Sequence, residues 1–288
     1  MREAGADLLD YRVVDAFTQR PFAGNPAAVI LPGAASDELD DRQRQWLAAE
    51  MNLSETAFPS PADDSGLRRL RWFTPSTEVS LCGHATLATA HALLEEGAES
   101  PLRFHSASGP LPVEEEEGGR LRLDFPADPP EPLPTPEGLM RALGLPPDTP
   151  FLSGSRCALV LLEKEAAVLA VEPDQGALGR VALPPGVMGV SVTAPGSEAE
   201  VDFVSRFFGP WVGVPEDPVT GMAHTVLGPY WADELGQSEL EARQRSRRGG
   251  QIGVRVKGDR VHLVGTAVTV ARGRIRVPPT AAGSWRSG

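Results

Sequence analysis

The sequence predicts an α+β protein of two similar domains, each with a β-sheet wrapped around one buried helix. Two turn-to-helix segments, residues 78–86 and 216–224, lie about half the chain length apart. Each leads into an apolar segment that stops at a glycine, Gly97 or Gly236. Strand-like stretches precede and follow both segments. This repeated pattern favours two α+β domains with a cleft between them.

The first half contains alternating or β-branched runs that predict strands. Strands are predicted over residues 11–17, 27–31, 53–58, 68–73, 102–104 and 121–125. Ser36 is predicted to cap a helix that ends at Asn52. A second helix is predicted over residues 85–96, and its Ala, Leu and Thr content indicates burial on most sides. The acidic run 114–117 is interpreted as a solvated hairpin tip.

The proline-rich segment 128–136 is the predicted domain boundary. The first domain is therefore predicted to cover residues 1–128 and the second residues 129–271, with residues 272–288 packing back on the first. Further elements are predicted as helices over 136–145 and 225–235, strands over 157–162, 187–193, 201–207 and 275–277, and a hairpin of 252–257 with 260–264. Residues from 278 onward are interpreted as a loose tail.

The composition excludes several classes of partner. The net charge of −12 and the pI of about 4.9 argue against nucleic-acid binding and against anionic membranes, since both need a basic face. Two cysteines, Cys82 and Cys157, do not make a disulfide framework, which favours a reducing compartment. Residues 1–10 lack the apolar run of a signal peptide, and no window has the length of a membrane span. We therefore expect a cytoplasmic protein.

Three side chains are candidates for chemistry. Glu55 lies in an apolar strand, where burial disfavours the charged form and suits a proton carrier. The alternative is a strand glutamate that faces solvent. His84 follows a glycine at a helix start, and Asp217 lies in a turn, so each also has a purely structural interpretation. The two helix starts expose backbone N–H groups that would bind an anionic group.

Other site types find little support. His84 and His91 are seven residues apart, which is not the spacing of a helical metal pair, and no carboxylate completes a set, so no metal is expected. The sequence lacks a phosphate loop, a dinucleotide fingerprint and a nucleophile elbow. Cys82 is a candidate thiolate at a helix terminus. Its counterpart in the second half is Thr220, which disfavours a racemase with two thiols.

These motifs together resemble the PhzF phenazine-biosynthesis family, and the chain is most similar to its animal members. The resemblance runs from about residue 11 to residue 270 and is carried, in order, by Asp15-Ala16-Phe17-Thr18, Gly24-Asn25-Pro26-Ala27-Ala28-Val29, Met51-Asn52-Leu53-Ser54-Glu55-Thr56, Arg71-Trp72-Phe73-Thr74-Pro75, Leu81-Cys82-Gly83-His84-Ala85-Thr86 and Glu216-Asp217-Pro218-Val219-Thr220-Gly221. It implies a diaminopimelate epimerase-like fold of two mixed β-barrels, each around a central helix, with the active site in the cleft between them.

The resemblance also implies an isomerase that works without a metal or an organic cofactor. It assigns catalysis to Glu55, His84 and Asp217. It assigns substrate binding to Ser54, Gly83, Ala85, Gly221, Met222 and Ala223. Met222 departs from the family pattern, which has serine there, so a hydroxyl is replaced by a thioether.

Two functions therefore compete. The first is an isomerase that moves a proton within a small, carboxylate-bearing substrate similar to a cyclic amino acid. The second is a binding protein that has lost catalysis and acts through a protein partner, of the WD-repeat type by resemblance. The resemblance also implies a homodimer.

Overall fold

The computed structural model describes residues 8–278, which form two compact units. Unit 1 consists of residues 8–22, 26–121 and 266–278, and unit 2 of residues 23–25 and 122–265. The changes between units therefore fall at 121/122 and 265/266, whereas the sequence placed them at 128/129 and 271/272. The change at 265/266 lies earlier in the chain than the predicted one at 271/272. The reason is that the last strand pairs along its full length with the first strand of unit 1.

Unit 1 is built from a mixed sheet and three helices. Its elements are β1 (Leu8–Ala16), β2 (Asn25–Ile30, with Asn25 in unit 2), α1 (Ala34–Asp37), α2 (Asp41–Met51), β3 (Glu55–Pro59), β4 (Leu67–Phe73), β5 (Glu78–Val79), α3 (Gly83–Glu95), β6 (Leu102–Ser106), β7 (Gly109–Glu116), the start of β8 (Arg120–Pro126), and β18 (Ala267–Arg276). The order of pairing is β18, β1, β2, β3, β4, β6, β7, with β5 beside the end of β4.

Helix α3 is the buried helix of unit 1. Nine of its 13 residues are buried, and it packs against β1, β3 and β18. Small and medium side chains allow this close approach on several sides. The prediction of a helix buried on most sides is confirmed, and the helix begins at Gly83, two residues before the predicted start.

The start of helix α2 corrects one prediction. Ser36 lies within the short helix α1, and Asp40 caps α2 instead. Asp40 Oδ1 accepts from the Gln43 backbone at 2.7 Å, and Gln43 Oε1 accepts from the Asp40 backbone at 2.9 Å, which makes a reciprocal capping box. The predicted end is confirmed, because Asn52 takes the left-handed conformation there (φ 49°).

Unit 2 is likewise a mixed sheet with helices. Its elements are the rest of β8, then β9 (Glu131–Pro132), α4 (Leu139–Leu143), β10 (Phe151–Ser153), β11 (Cys157–Leu161), α5 (Glu165–Leu169), α6 (Gln175–Leu178), β12 (Gly189–Pro195), β13 (Phe203–Gly209), β14 (Val214–Asp217), α7 (Gly221–Leu235), β15 (Glu239–Gln244), β16 (Gly250–Lys257) and β17 (Arg260–Gly265). The order of pairing is β9, β10, β11, β12, β13, β15, β16, β17, β8, with β14 beside the end of β13.

Helix α7 is the counterpart of α3. It packs against β11, β15, β16 and β17 and begins at Gly221, four residues before the predicted start. A Cβ at Gly228 would lie 2.7 Å from Val254 Cγ1, so this glycine lets the helix approach β16 closely. Residues typical of turns precede the helix, so the sequence pattern does not reveal the first helical turn.

The predicted internal repeat extends to a side-chain pair. In unit 1 the guanidinium of Arg71 on β4 donates to both carboxylate oxygens of Glu78 on β5, at 2.7 and 2.6 Å. In unit 2 Arg206 on β13 donates in the same way to Glu216 on β14, at 2.8 and 3.1 Å. In both units β5 or β14 runs antiparallel to its neighbour and leads to the apolar helix. The similarity of the two units thus includes the bidentate pair that fixes the turn before each helix.

Several smaller predictions are settled by the described residues. The acidic run is not wholly a tip, since its first three residues belong to β7 and the turn is at Glu117–Gly119. The predicted hairpin of β16 and β17 is confirmed. Both cysteines are free and buried. Between residues 8 and 278 no helix combines the length and apolar character needed to cross a membrane. From residue 279 onward, the predicted tail lies outside the residues that the structure describes.

Candidate active site

The candidate site in unit 1 is formed where β3 begins and α3 begins. Glu55 is the first residue of β3, and its side chain is 17% exposed. His84 is the second residue of α3, and its side chain is 7% exposed. The two meet through Glu55 Oε2 and His84 Nε2, which lie 3.1 Å apart. A carboxylate that keeps limited access to solvent is thus held by a buried imidazole.

Cys82 lies on the other side of the imidazole ring. It is the N-cap residue of α3 in an extended conformation (φ −147°, ψ 112°), and its Sγ is 3.5 Å from His84 Nδ1. The carbonyl of Cys82 accepts a hydrogen bond of 2.6 Å from the Thr86 hydroxyl. The imidazole therefore has one ring nitrogen near the thiol and the other near the carboxylate.

The surroundings shift the protonation of two of these groups. Burial raises the pKa of the Cys82 thiol, and the charge of Glu55 adds to this effect, so the thiol is protonated near neutral pH. Burial alone would lower the pKa of His84, but negative charge at Cys82 and Glu55 raises it well above its usual value. The raised pKa favours the protonated form of His84 beside Glu55.

The other predicted residues of unit 1 differ in what they can offer. Ser54 directly precedes the strand and is partly exposed, and Gly83 is a partly exposed first residue of α3. Ala85 is fully buried. The first turn of α3 is a helix N-terminus with the positive end of the helix dipole, next to the Glu55–His84 pair.

The same three side chains make up a set of metal-capable ligands. One ligand atom each from Glu55, Cys82 and His84 lies within 4.8 Å of the other two. From sequence, no carboxylate is expected to complete such a set, because Glu55 is far from His84 along the chain. The strand–helix contact supplies the carboxylate, and His91 is not a member.

The candidate residues of unit 2 surround the start of α7. Asp217 is the last residue of β14, and both of its carboxylate oxygens accept hydrogen bonds. Asn25 Nδ2 donates to Oδ1 at 2.9 Å, and the Thr220 hydroxyl donates to Oδ2 at 2.5 Å. Asp217 is therefore fixed in position by a second layer of polar groups.

Gln244 on β15 joins this network and was not found by sequence reasoning. It is fully buried, and its Oε1 accepts from the Thr220 backbone at 2.9 Å. Its Nε2 donates to the Asp217 carbonyl at 2.7 Å and to the Thr220 hydroxyl at 3.1 Å. Nothing in the sequence around Gln244 signals this role, whereas Asn25 belongs to one of the motifs that carry the family resemblance.

The first turn of α7 holds the remaining predicted residues. Gly221 and Ala223 are buried, and Met222 between them is partly exposed. One turn along, His224 is fully buried, and its Nδ1 donates to the Thr220 carbonyl at 2.8 Å. Burial lowers the pKa of His224 to about 4, so this histidine is neutral near neutral pH. It is a packing residue.

The family is established by comparison with known proteins. A family model described as "Phenazine biosynthesis-like protein" matches residues 14–273. An uncharacterized isomerase from Pseudomonas aeruginosa is 50% identical over 272 residues, which cover 93% of this chain and 99% of that protein. The phenazine biosynthesis-like domain-containing protein 2 of Mus musculus is 42% identical and covers 91% and 97%. Identity is thus higher with this bacterial relative than with this animal one.

Solved structures agree. A PhzF-family protein from Enterococcus faecalis has a TM-score of 0.84 at 42% identity and covers 93% of this chain and 99% of its own. A hydroxyproline epimerase from Agrobacterium vitis has a TM-score of 0.60 at 15% identity, with coverage of 97% and 95%, which shows the same fold only. The chain belongs to the PhzF phenazine biosynthesis-like family, an isomerase family with the two-domain α+β fold of epimerases.

Proposed function

We propose that the protein is an isomerase that moves a proton within a small, carboxylate-bearing substrate similar to a cyclic amino acid. The observation that carries the proposal is the contact of 3.1 Å between Glu55 Oε2 and His84 Nε2 at a largely buried position. A partly accessible carboxylate held by an imidazole has the form of a general acid/base group with its positioning partner. Membership of an isomerase family supports the same class of reaction.

The proposed reaction uses Glu55 twice. Its carboxylate takes a proton from a substrate carbon next to an unsaturated bond, and the electron pair of the broken C–H bond is delocalised into the adjacent π system, so that the double bond shifts. The resulting carboxylic acid then returns the proton to another carbon of the same system, so the atoms and charges balance without a co-reactant. His84 holds Glu55 and stabilises its charged form before and after turnover. The resemblance predicts catalysis by Asp217 and substrate contacts at the start of α7, and these assignments stay predictions.

Exchange of the transferred proton with solvent tests the proposal. The protein would be incubated in heavy water with a panel of cyclic and unsaturated amino acids, and deuterium uptake on carbon would be followed by NMR. Uptake that requires Glu55 supports the isomerase. A folded protein that exchanges no carbon-bound proton in any member of a broad panel, including dienes with a carboxylate, contradicts it.

Met222 favours a second candidate, a protein that binds ligands or partners without catalysis. It is partly exposed at the second position of α7, where the family pattern has serine. A hydroxyl hydrogen bond there would contribute about 0.5–1.5 kcal/mol. The backbone N–H groups of the first turn remain, and they bind an anion whatever the side chain.

The variant Met222→Ser separates the two candidates. We expect it to fold normally, to bind a small carboxylate at least as tightly as the native protein in calorimetry, and to keep or increase proton exchange. Clearly weaker binding would mean that Met222 makes an apolar contact the ligand needs. Exchange that appears only in Met222→Ser would favour the binding protein over the isomerase.

A further inference from the structure

We propose that Glu55, Cys82 and His84 form a Zn²⁺-binding site, and that the metal acts there as an inhibitor. The three side chains come from two elements, the start of β3 and the start of α3, and meet on one side of unit 1. All three are largely shielded from solvent, since the side chains of His84 and Glu55 are 7% and 17% exposed and Cys82 is 8% exposed. No other group of this kind is found among residues 8–278.

The geometry is close to that of a zinc site. Bonds of about 2.0–2.3 Å to nitrogen, oxygen and sulfur place the ligand atoms of a tetrahedral zinc roughly 3.3–3.7 Å apart. One atom each from the three residues already lies within 4.8 Å of the others, and Glu55 Oε2 and His84 Nε2 are 3.1 Å apart. The imidazole faces Cys82 with Nδ1 and Glu55 with Nε2, and a metal binds one nitrogen. One of the two neighbours must therefore turn toward that nitrogen, which requires a side-chain movement.

The chemical nature of the ligands selects the metal. A thiolate, an imidazole and a carboxylate are the three ligand types that zinc uses, whereas magnesium and calcium take oxygen ligands. Three protein ligands leave a fourth position for water, as in open zinc sites. Binding replaces the thiol proton of Cys82, which leaves to solvent, so that the sulfur becomes the metal ligand.

Inhibition follows from the shared carboxylate. In the proposed reaction Glu55 accepts the substrate proton, and a carboxylate bound to zinc can no longer do so. This consequence rests on the proposed function, but metal binding does not. Zinc affinity would therefore be measured separately from turnover, so that failure of one proposal is distinguishable from failure of the other.

The test uses untagged full-length protein with its thiols reduced, titrated with Zn²⁺ against a chromogenic chelator. We expect one site per chain, and Co²⁺ in place of Zn²⁺ should give the near-ultraviolet absorption of a metal–thiolate bond. Cys82→Ser should weaken Zn²⁺ binding by about 100-fold or more and abolish that absorption, because even loss of a supporting group costs 10–100-fold. Glu55→Gln should weaken binding while keeping the thiolate band.

Cys157→Ser is the matched control. Cys157 is also a free, buried cysteine, but it contacts Ser191 and belongs to no metal-capable group among the described residues. This variant should bind Zn²⁺ like the native protein. The proposal is overturned if the native protein shows no site that competes with the chelator, if Cys157→Ser loses the site, or if folded Cys82→Ser and Glu55→Gln both bind as tightly as the native protein. Circular dichroism of each variant verifies folding.

Discussion

At the scale of single residues, the clearest prediction concerns the Glu55–His84 pair. Glu55→Gln keeps the shape of the side chain and removes the base, so we expect turnover to fall by about 100-fold or more while the fold is kept. Rates would be measured with any substrate found by deuterium exchange. The matched control is Glu95→Gln, because Glu95 also lies beside a histidine, His91, at 3.5 Å in the same unit. Near-native turnover of folded Glu55→Gln would remove Glu55 from the mechanism.

His224 predicts how stability depends on pH. In the folded protein its pKa is lowered to about 4 by burial, against about 6.5 in an unfolded chain. The unfolded state therefore binds more protons between these values, and stability is full above pH 6.5 and is lost as pH falls toward 4. Two and a half pKa units correspond to about 3 kcal/mol. His84 acts in the opposite sense, since its raised pKa gives a contribution that is lost as pH rises through that value.

Denaturant unfolding of the native protein and His224→Gln between pH 4 and 7 measures this contribution. We expect the native protein to lose more stability on acidification than the variant does, whatever the variant costs at pH 7. His105→Gln alters an exposed histidine and should keep the native pH profile. If native and His224→Gln curves run parallel across this range, the histidine does not control acid stability.

Single residues of the site could be predicted from sequence, but their contacts could not. Glu55 stands out as a charge in an apolar strand, and His84 as the residue after a helix-start glycine. Their contact depends on how β3 packs against α3, and this packing leaves no pattern in the sequence around either residue. For the same reason Cys82 was examined only as a helix-terminus thiol. Gln244 was missed because a polar residue at a strand end has no pattern of its own.

At the scale of elements, the capping box of α2 can be tested directly. Asp40→Ala removes the side-chain acceptor for the Gln43 backbone, and we expect it to lower the free energy of unfolding by about 1 kcal/mol. Asp37→Ala, at an exposed position of α1, should change it by less than about 0.5 kcal/mol. Guanidinium titration measures both. An equal effect of the two substitutions would mean that the cap is energetically unimportant.

The elements that were predicted correctly have a strong internal pattern, and the missed ones depend on their neighbours. The apolar run of α3 identifies a buried helix without further information. Strand β15 has the opposite character, because Glu239–Gln244 reads Glu-Leu-Glu-Ala-Arg-Gln, a composition typical of helices. It is a strand because it pairs with β13 on one side and β16 on the other. Tertiary pairing overrides propensity in this segment.

At the scale of the whole molecule, we propose that the protein forms a homodimer, as the family resemblance implies. Light scattering at micromolar concentration should give a mass about twice the 30.6 kDa of one chain. Dilution over two orders of magnitude would show whether the assembly is stable. A mass of one chain at every concentration would contradict the proposal.

The pairing of β1 with β18 gives synthesis on the ribosome a particular time course. Leu8–Ala16 is synthesised well before its antiparallel partner Ala267–Arg276, because residues 17–266 lie between them. At 5–20 residues per second, the nascent strand waits roughly 10–50 s for that partner. During this interval one edge of β1 is an open template for strand addition. Unit 1 therefore begins to form well before its last strand is available, and this interval is the stage at which chaperones would have most to protect.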